Sequence, residues 1–139
     1  MKFVLDCSVT MSWCFEDESN IYTENVLDSL QNKEYEARVP PIWKLEVINV
    51  LLLTERKKRI SNHVASNFKN ILNILPISID LFSTDRTFDT VYELARELHI
   101  TAYDAAYLEL AIRENIPLAT LDNDLVKAAK KIKIKLFAQ

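Results

Sequence analysis

The chain has no glycine at any of its 139 positions. Glycine enters the left-handed backbone region freely and lets a backbone press close against a phosphate. Its absence excludes P-loops and glycine-rich dinucleotide fingerprints, and with them both kinds of nucleotide-cofactor enzyme. Turns are expected to fall on Asn, Asp, Ser and Pro instead. At this length, with 49% apolar and 27% charged residues, the chain reads as one domain over 1–139 with a single buried core.

Its apolar runs are short and are separated by stretches of helical period. Lys2 to Leu5 reads as a buried strand ending on Asp6, followed by helices from about Ser8 to Phe15 and about Asn20 to Gln31. Glu36 to Val39 is a brief strand stopped by Pro40-Pro41, and a long apolar helix runs from about Ile42 to Arg59. Ser61 caps a helix to about Asn73, and Ile74 to Ile79, interrupted by Pro76, is a weak edge strand. Thr84 caps a helix to about Leu98, with Phe88, Val91, Leu94, Ala95 and Leu98 facing inward. A helix from Ala102 to Glu114 stops at Asn115. A strand from Ile116 to Leu121, a helix from Leu125 to Lys131 and a terminal strand from Lys133 to Phe137 complete the chain. Short strands separated by helices imply a parallel sheet with right-handed crossovers, and so a three-layer α/β/α domain.

Four acids stand at joints of this layout or in apolar surroundings. Asp6 ends the first strand and Asp122 ends the penultimate one, which puts both on one edge of a parallel sheet, where such folds bind ligands. Asp104 opens the central helix. Glu46 lies in the long helix, where from Leu45 to Leu53 only Glu46 and Asn49 are polar, three apart and on one face. A helix so apolar is expected to be buried on almost every side, in a core or a subunit contact. A carboxylate there is costly unless it is paired, protonated or bound to metal. Simple capping explains part of the pattern: Thr101-x-x-Asp104 fits a capping box, and Asp122 can cap the helix after it. Four carboxylates gathered together would raise one another's pKa unless a cation offset them. With oxygen ligands and no histidine among them, Mg²⁺ or Mn²⁺ is the natural occupant.

The net charge of −3 does not advertise nucleic-acid binding, so a polyanionic substrate would need a local lysine patch or a metal. Cys7 and Cys14 are expected as buried free thiols, and His63 and His99 form no metal-spaced pair. No apolar run approaches a membrane span and the N-terminal apolar run is too short for a signal peptide, so the expectation is a cytoplasmic protein with no membrane partner.

Four motifs together make the chain resemble a known family: Val4-Leu5-Asp6-Cys7-Ser8; Pro40-Pro41-x-Trp43-x-x-Glu46-Val47-x-Asn49-Val50-Leu51; Tyr103-Asp104-Ala105-Ala106-Tyr107; and Ala119-Thr120-Leu121-Asp122. In this order and spacing they resemble PIN-domain ribonucleases of the VapC type, the toxins of type II toxin–antitoxin pairs, over essentially the whole chain. The resemblance implies a parallel sheet of about five strands in the order 3-2-1-4-5. It places the family's acidic quartet on Asp6, Glu46, Asp104 and Asp122, with Asp124 as a further acid. Ser8 and Thr120 match hydroxyl positions near the metal, and Asn49 would stand behind Glu46. It implies an Mg²⁺- or Mn²⁺-dependent endoribonuclease leaving a 5′-phosphate and a 3′-hydroxyl. A cognate antitoxin and a homodimer are implied with it.

Rival readings have their own signatures. A phosphoaspartate receiver would bring an acidic pair after the first strand and a haloacid-dehalogenase-like phosphatase an Asp-x-Asp, whereas Asp6 is followed by Cys7-Ser8. A non-catalytic PIN-like interaction module would have no reason to keep Glu46 in apolar surroundings. Two basic stretches, Arg56 to Arg59 and Lys127, Lys130, Lys131, Lys133 and Lys135, are either phosphate grips or solvated faces. Tyr103 and Tyr107, four apart on one helix, either stack bases or pack the core.

Overall fold

The structure, a computed structural model describing residues 1–137, contains strands β1 (Lys2–Leu5), β2 (Glu36–Val39), β3 (Ile77–Ile79) and β4 (Leu118–Ala119). The last two residues of the expected 1–139 domain lie outside the described residues. The strands form one parallel sheet in the order β3-β2-β1-β4. Around it lie α1 (Cys7–Ser12), α2 (Ile21–Gln31), α3 (Ile42–Arg56), α4 (Asn62–Ile74), α5 (Tyr92–Leu98), α6 (Ala102–Glu114) and α7 (Asn123–Lys131). Parallel pairing needs crossover helices, and these bury the sheet: Phe3, Val4, Leu5, Ala37, Val39, Leu118 and Ala119 have no solvent exposure. The register pairs Phe3 with Ala37, Leu5 with Ala119 and Val39 with Ile79. Asp6, Pro40, Asp80 and Thr120, which follow the four strands, therefore emerge on the same edge.

The fifth strand shrinks to one parallel bridge, Leu118 to Leu136. It is held by the Leu118 N–H donating to Lys135 O at 2.9 Å and the Phe137 N–H donating to Leu118 O at 2.8 Å. β4 limits it, being two residues long: Leu118 turns its N–H and C=O to the fifth strand, while the carbonyls of Pro117 and Ala119 on either side accept from Val4 and Asp6. The segment still occupies the place beside β4 that a fifth strand would take. Phe137 anchors it by stacking on Phe3 at 4.2 Å between ring centroids.

The expected helix from Thr84 to Leu98 divides into a 3-10 turn (Ser83–Arg86), a π-helical stretch (Thr87–Val91) and α5. A π turn carries an extra residue and so shifts the phase of whatever precedes it. Val91 is buried and Leu94, Ala95 and Leu98 are half-buried, as the helical period predicts, but Phe88 is thrown outward with 93% exposure. α3 ends at Arg56 and buries Trp43, Val47 and Leu51, while Leu45, Ile48, Leu52 and Leu53 remain exposed. The helix expected to be buried almost all round thus leaves one apolar face open in the single chain.

The turns also depart from expectation. Among the described residues left-handed backbone falls on Lys33, Lys58, His99, Asn115 and Lys133, so only one of these five uses an anticipated turn residue. Lysine and histidine lack a branched Cβ, which keeps the cost of this conformation near 1 kcal/mol each.

Candidate functional site

Asp6 sits where β1 passes into α1 and is 6% exposed. Its Oδ2 accepts hydrogen bonds from the hydroxyls of Ser8 at 2.6 Å and Thr120 at 2.8 Å. Ser8 Oγ in turn accepts the Leu121 N–H, and Thr120 Oγ1 accepts the Asp122 N–H. These bonds tie the end of β4 to the end of β1 and hold the Asp6 carboxylate at Oδ2. Burial raises the Asp6 pKa against the lowering effect of the two hydroxyls, and the nearby Asp122 carboxylate raises it further.

Asp122 does cap α7, through Oδ1 alone, which accepts the N–H groups of Asp124 at 2.8 Å and Leu125 at 3.1 Å. Thr101 caps α6 by accepting the Asp104 N–H at 3.1 Å. The return half of a capping box, from the Asp104 carboxylate to the N-cap amide, is absent among the described residues, in contrast to the reciprocal pair of Asn20 and Thr23 on α2. Capping therefore leaves Asp104 its whole carboxylate. Burial and the fields of Asp122, Asp6 and Asp124 push its pKa up to about 6.

Glu46 lies one turn into α3 and is half-buried, and the Tyr107 hydroxyl donates to it at 2.5 Å. Burial raises its pKa, the Tyr107 bond opposes this, and the charges of Asp6 and Asp104 add to the rise. The same field acts on the buried Cys7 thiol, pushed up to about 12 by burial and then by Glu46 and Asp6. Cys14 is free as well but only half-buried.

The four acids named from sequence thus come together in one field, and Asp124 joins it through Asp104. Among the described residues none of these five has an ion pair. Asp80, on the same sheet edge, is the counterexample. It has no exposure and is met by Arg113 at 2.5 Å and Arg38 at 3.5 Å. Burial alone would push Asp80 upward, but Arg113 and Ser83 hold it below the ordinary carboxylate range. Of the two buried acids at this edge, Asp80 is given cations by the protein and Asp6 is not, and among the described residues the half-buried Glu46, Asp104 and Asp122 beside Asp6 have none either.

These acids fit a hard divalent cation by chemistry and position, since every donor is a carboxylate or hydroxyl oxygen. They share a field without sharing a coordination point: among the described residues no three His, Cys, Asp or Glu side chains stand at metal-binding spacing. Ser8 and Thr120, expected from the resemblance as hydroxyls near a metal, both donate to Asp6. Asn49 is exposed beside Glu46 and makes no side-chain hydrogen bond among the described residues. The tyrosines divide, with Tyr107 fully buried and Tyr103 58% exposed. Sequence reasoning missed Tyr107 as the partner of Glu46, and only its spacing of three from Asp104 hinted at it. His63 is a surface residue bonded to Asn67.

The basic stretches divide as well. Arg59 is taken up by Asp17 at 2.8 Å and Glu18 at 3.4 Å and lies over the Phe15 ring, at the far end of α3 from Glu46. Ten residues of helix from Glu46 to Arg56 put that stretch about 15 Å away. Lys127 and Lys131, by contrast, line a cavity shared with Asp104 and Asp124.

A parallel α/β sheet with carboxylates converging at its C-terminal edge defines a class of acid-site α/β domains. Within that class the chain belongs to the PIN-domain family, a family of nucleases, whose model matches residues 3–131. Two solved structures share the fold. PAE2754 from Pyrobaculum aerophilum is 20% identical, with 92% of this chain and 79% of that one covered and a TM-score of 0.68. A chain of VapBC2 from Rickettsia felis, in a structure bound to a DNA fragment from their promoter, is 18% identical, with 99% and 98% covered and a TM-score of 0.69. Comparison with curated protein sequences returned no match. Among the described residues no helix is long and apolar enough to cross a membrane.

Proposed function

We propose that this protein is a divalent-metal-dependent endoribonuclease and the toxin of a type II toxin–antitoxin pair. The observation that supports it most is the contrast at the sheet edge, where Asp80 is supplied with two arginines while Asp6, Glu46, Asp104 and Asp122 face one another with none. Asp6, Asp104 and Asp122 would hold Mg²⁺ or Mn²⁺, with Asp124 adding charge at the rim and side-chain rotation drawing the free carboxylate oxygens inward. The bound ion would lower the pKa of a water and offset charge on the attacked phosphate. Ser8 and Thr120 hold Asp6 in place, and Glu46, which accepts the Tyr107 hydroxyl, would orient the attacking water. An in-line displacement would leave a 5′-phosphate and a 3′-hydroxyl.

Partners follow from the open apolar surfaces. A cavity of about 330 Å³ between the start of α3, the π-helical stretch and α6 is lined by Pro41, Ile42, Leu45, Val91, Tyr103 and Ala106. A peptide or amphipathic helix of an antitoxin fits such a groove, and the fold shared with a VapBC2 chain agrees with that kind of partner. The exposed Leu45, Ile48, Leu52 and Leu53 of α3 support a homodimer, which would return that face to the burial its composition calls for.

The test is cleavage of cellular RNA with Mg²⁺ or Mn²⁺, with and without EDTA. Wild type should cut and lose activity in EDTA, and Asp6→Asn and Asp104→Asn should lose at least 100-fold, in line with removal of a charge-stabilising group. A fully active Asp6→Asn protein would overturn the assignment. One observation favours the second reading, a non-catalytic interaction module: no three acids stand at metal-binding spacing among the described residues. Calorimetric titration with Mn²⁺ separates the two, since only the nuclease requires saturable binding that Asp6→Asn abolishes.

A further inference from the structure

The face of α7 beside the acids carries an arrangement that the acids do not explain. Asp124, Lys127, Ala128 and Lys131 recur at helical spacings of three, four and seven, so they share one face of the helix. That face forms one wall of a cavity of about 370 Å³, whose other walls are Leu98 to Thr101 and Asp104. Ala128, buried between the two lysines, leaves the space open. Lys127 and Lys131 are exposed and have no ion pair among the described residues, although Asp124 is three positions from Lys127. Lys130 on the same helix, and Lys133 and Lys135 after it, do not line this cavity.

The charge order along α7 runs in one direction. Asp122 caps it, Asp124 follows in the first turn, and Lys127 and Lys131 come one and two turns later. From Asp122 to Lys131 this spans about 13 Å. A single strand with one phosphate at the acids would thus lay its neighbouring phosphates along the lysines. His99, placed at the rim by the left-handed turn that ends α5, adds a ring able to donate a hydrogen bond or stack on a base.

We propose that the cavity between α7 and the α5–α6 turn is a phosphate subsite. In it Lys127 and Lys131 grip the RNA backbone next to the bond being cut. This rests on the nuclease reading above and adds to it which side of the acids the strand leaves by. It also divides the lysine-rich C-terminal stretch, making Lys127 and Lys131 part of the site while Lys130 and Lys135 stay solvated.

The experiment compares Lys127→Gln/Lys131→Gln with Lys130→Gln/Lys135→Gln, a control that removes the same charge from outside the cavity. On an RNA that wild type cuts, the first variant should raise KM about tenfold with kcat within about twofold, while the control stays at wild-type values. A single neutral methylphosphonate linkage, walked along that RNA, should cost wild type about tenfold at one position flanking the cut and cost the cavity variant nothing more there. Lys127→Arg/Lys131→Arg should restore most of the loss. Equilibrium binding of a short labelled single-stranded RNA in EDTA is read in parallel. There the slope of log K against log salt should fall by about 1.4 for the cavity variant alone, about 0.7 for each phosphate contact. An unchanged KM and salt slope, or equal losses in the control, would overturn the subsite. Should wild type cut no RNA with either metal, the nuclease reading fails, and the subsite then stands or falls on the EDTA binding comparison.

Discussion

Tyr107 donates its hydroxyl to Glu46 from a position with no solvent exposure, so one oxygen atom orients a carboxylate on another helix. Tyr107→Phe removes that donor and little else. A hydrogen bond to a charged acceptor contributes about 1.5–3 kcal/mol, and Glu46, being half-buried, can recover part of it from water. The expected loss is about 1.5 kcal/mol in urea denaturation, together with a further rise of the Glu46 pKa, because the bond now lowers it. Unchanged stability would show that the phenol does not hold Glu46. The residue scale is also where the sequence was most and least informative. That Asp6, Asp104 and Asp122 stand at joints of the fold was legible because strand ends and helix starts are legible. Tyr107 was not, since a tyrosine on an amphipathic helix looks the same whether its oxygen meets water or a carboxylate 61 positions away.

Between β3 and α6 the chain does not follow its own periodicity, and a clamp explains what holds it. Asp80 accepts from Arg38, Arg113, Ser83 and the Phe82 N–H, while Glu109 on α6 takes Arg113 at 2.8 Å and Arg86 at 3.4 Å. The clamp fastens the 3-10 turn to the sheet edge and to α6, and the chain takes up the remaining slack as a π turn. None of this is readable in one dimension, because the partners are 33 and 42 positions apart and arginines such as Arg38 on β2 and Arg113 on α6 read as surface charge. The other element boundaries were closer to expectation: β1 and β2 fall where the sequence put them, and α6 does so because Thr101 and Asn115 mark its ends. Asp80→Ala should leave Arg113 to Glu109 and Arg38 to Glu114, remove the charge that joins the two pairs at the sheet edge, and cost about 1.5–3 kcal/mol. Hydrogen exchange should then quicken across residues 81–91 before it does in β1 or β2. Uniform exchange, with stability unchanged, would show that the clamp is incidental to the segment.

At the scale of the molecule, four acids from positions 6, 46, 104 and 122 are held together by the fold against their own repulsion, and the cost is measurable through pH. Asp6 and Glu46 titrate above their ordinary values, and Asp104 is raised from 3.8 to about 6. Between these limits the native state holds more protons than the unfolded chain, so unfolding free energy falls as pH rises. The loss from Asp104 is complete only above pH 6. Asp80 acts with the opposite sign, but its pKa is lowered, so its contribution is lost below pH 3.8 and leaves the window clear. In EDTA the protein should therefore be less stable at pH 7.5 than at pH 4.5. The share from Asp104 is on the order of 1 kcal/mol after solvent screening is allowed for. Asp104→Asn should be more stable than wild type at pH 7.5 in EDTA and should flatten the profile, an inversion that a simple helix cap would not produce. Adding Mn²⁺ at a hundred times its Kd should raise wild-type stability by about 2.7 kcal/mol at pH 7.5, and by much less at pH 4.5, where protons compete for the same oxygens. A profile in EDTA that is level from pH 4.5 to 7.5 would mean that the acids do not feel one another in solution, and the metal reading would lose its physical basis.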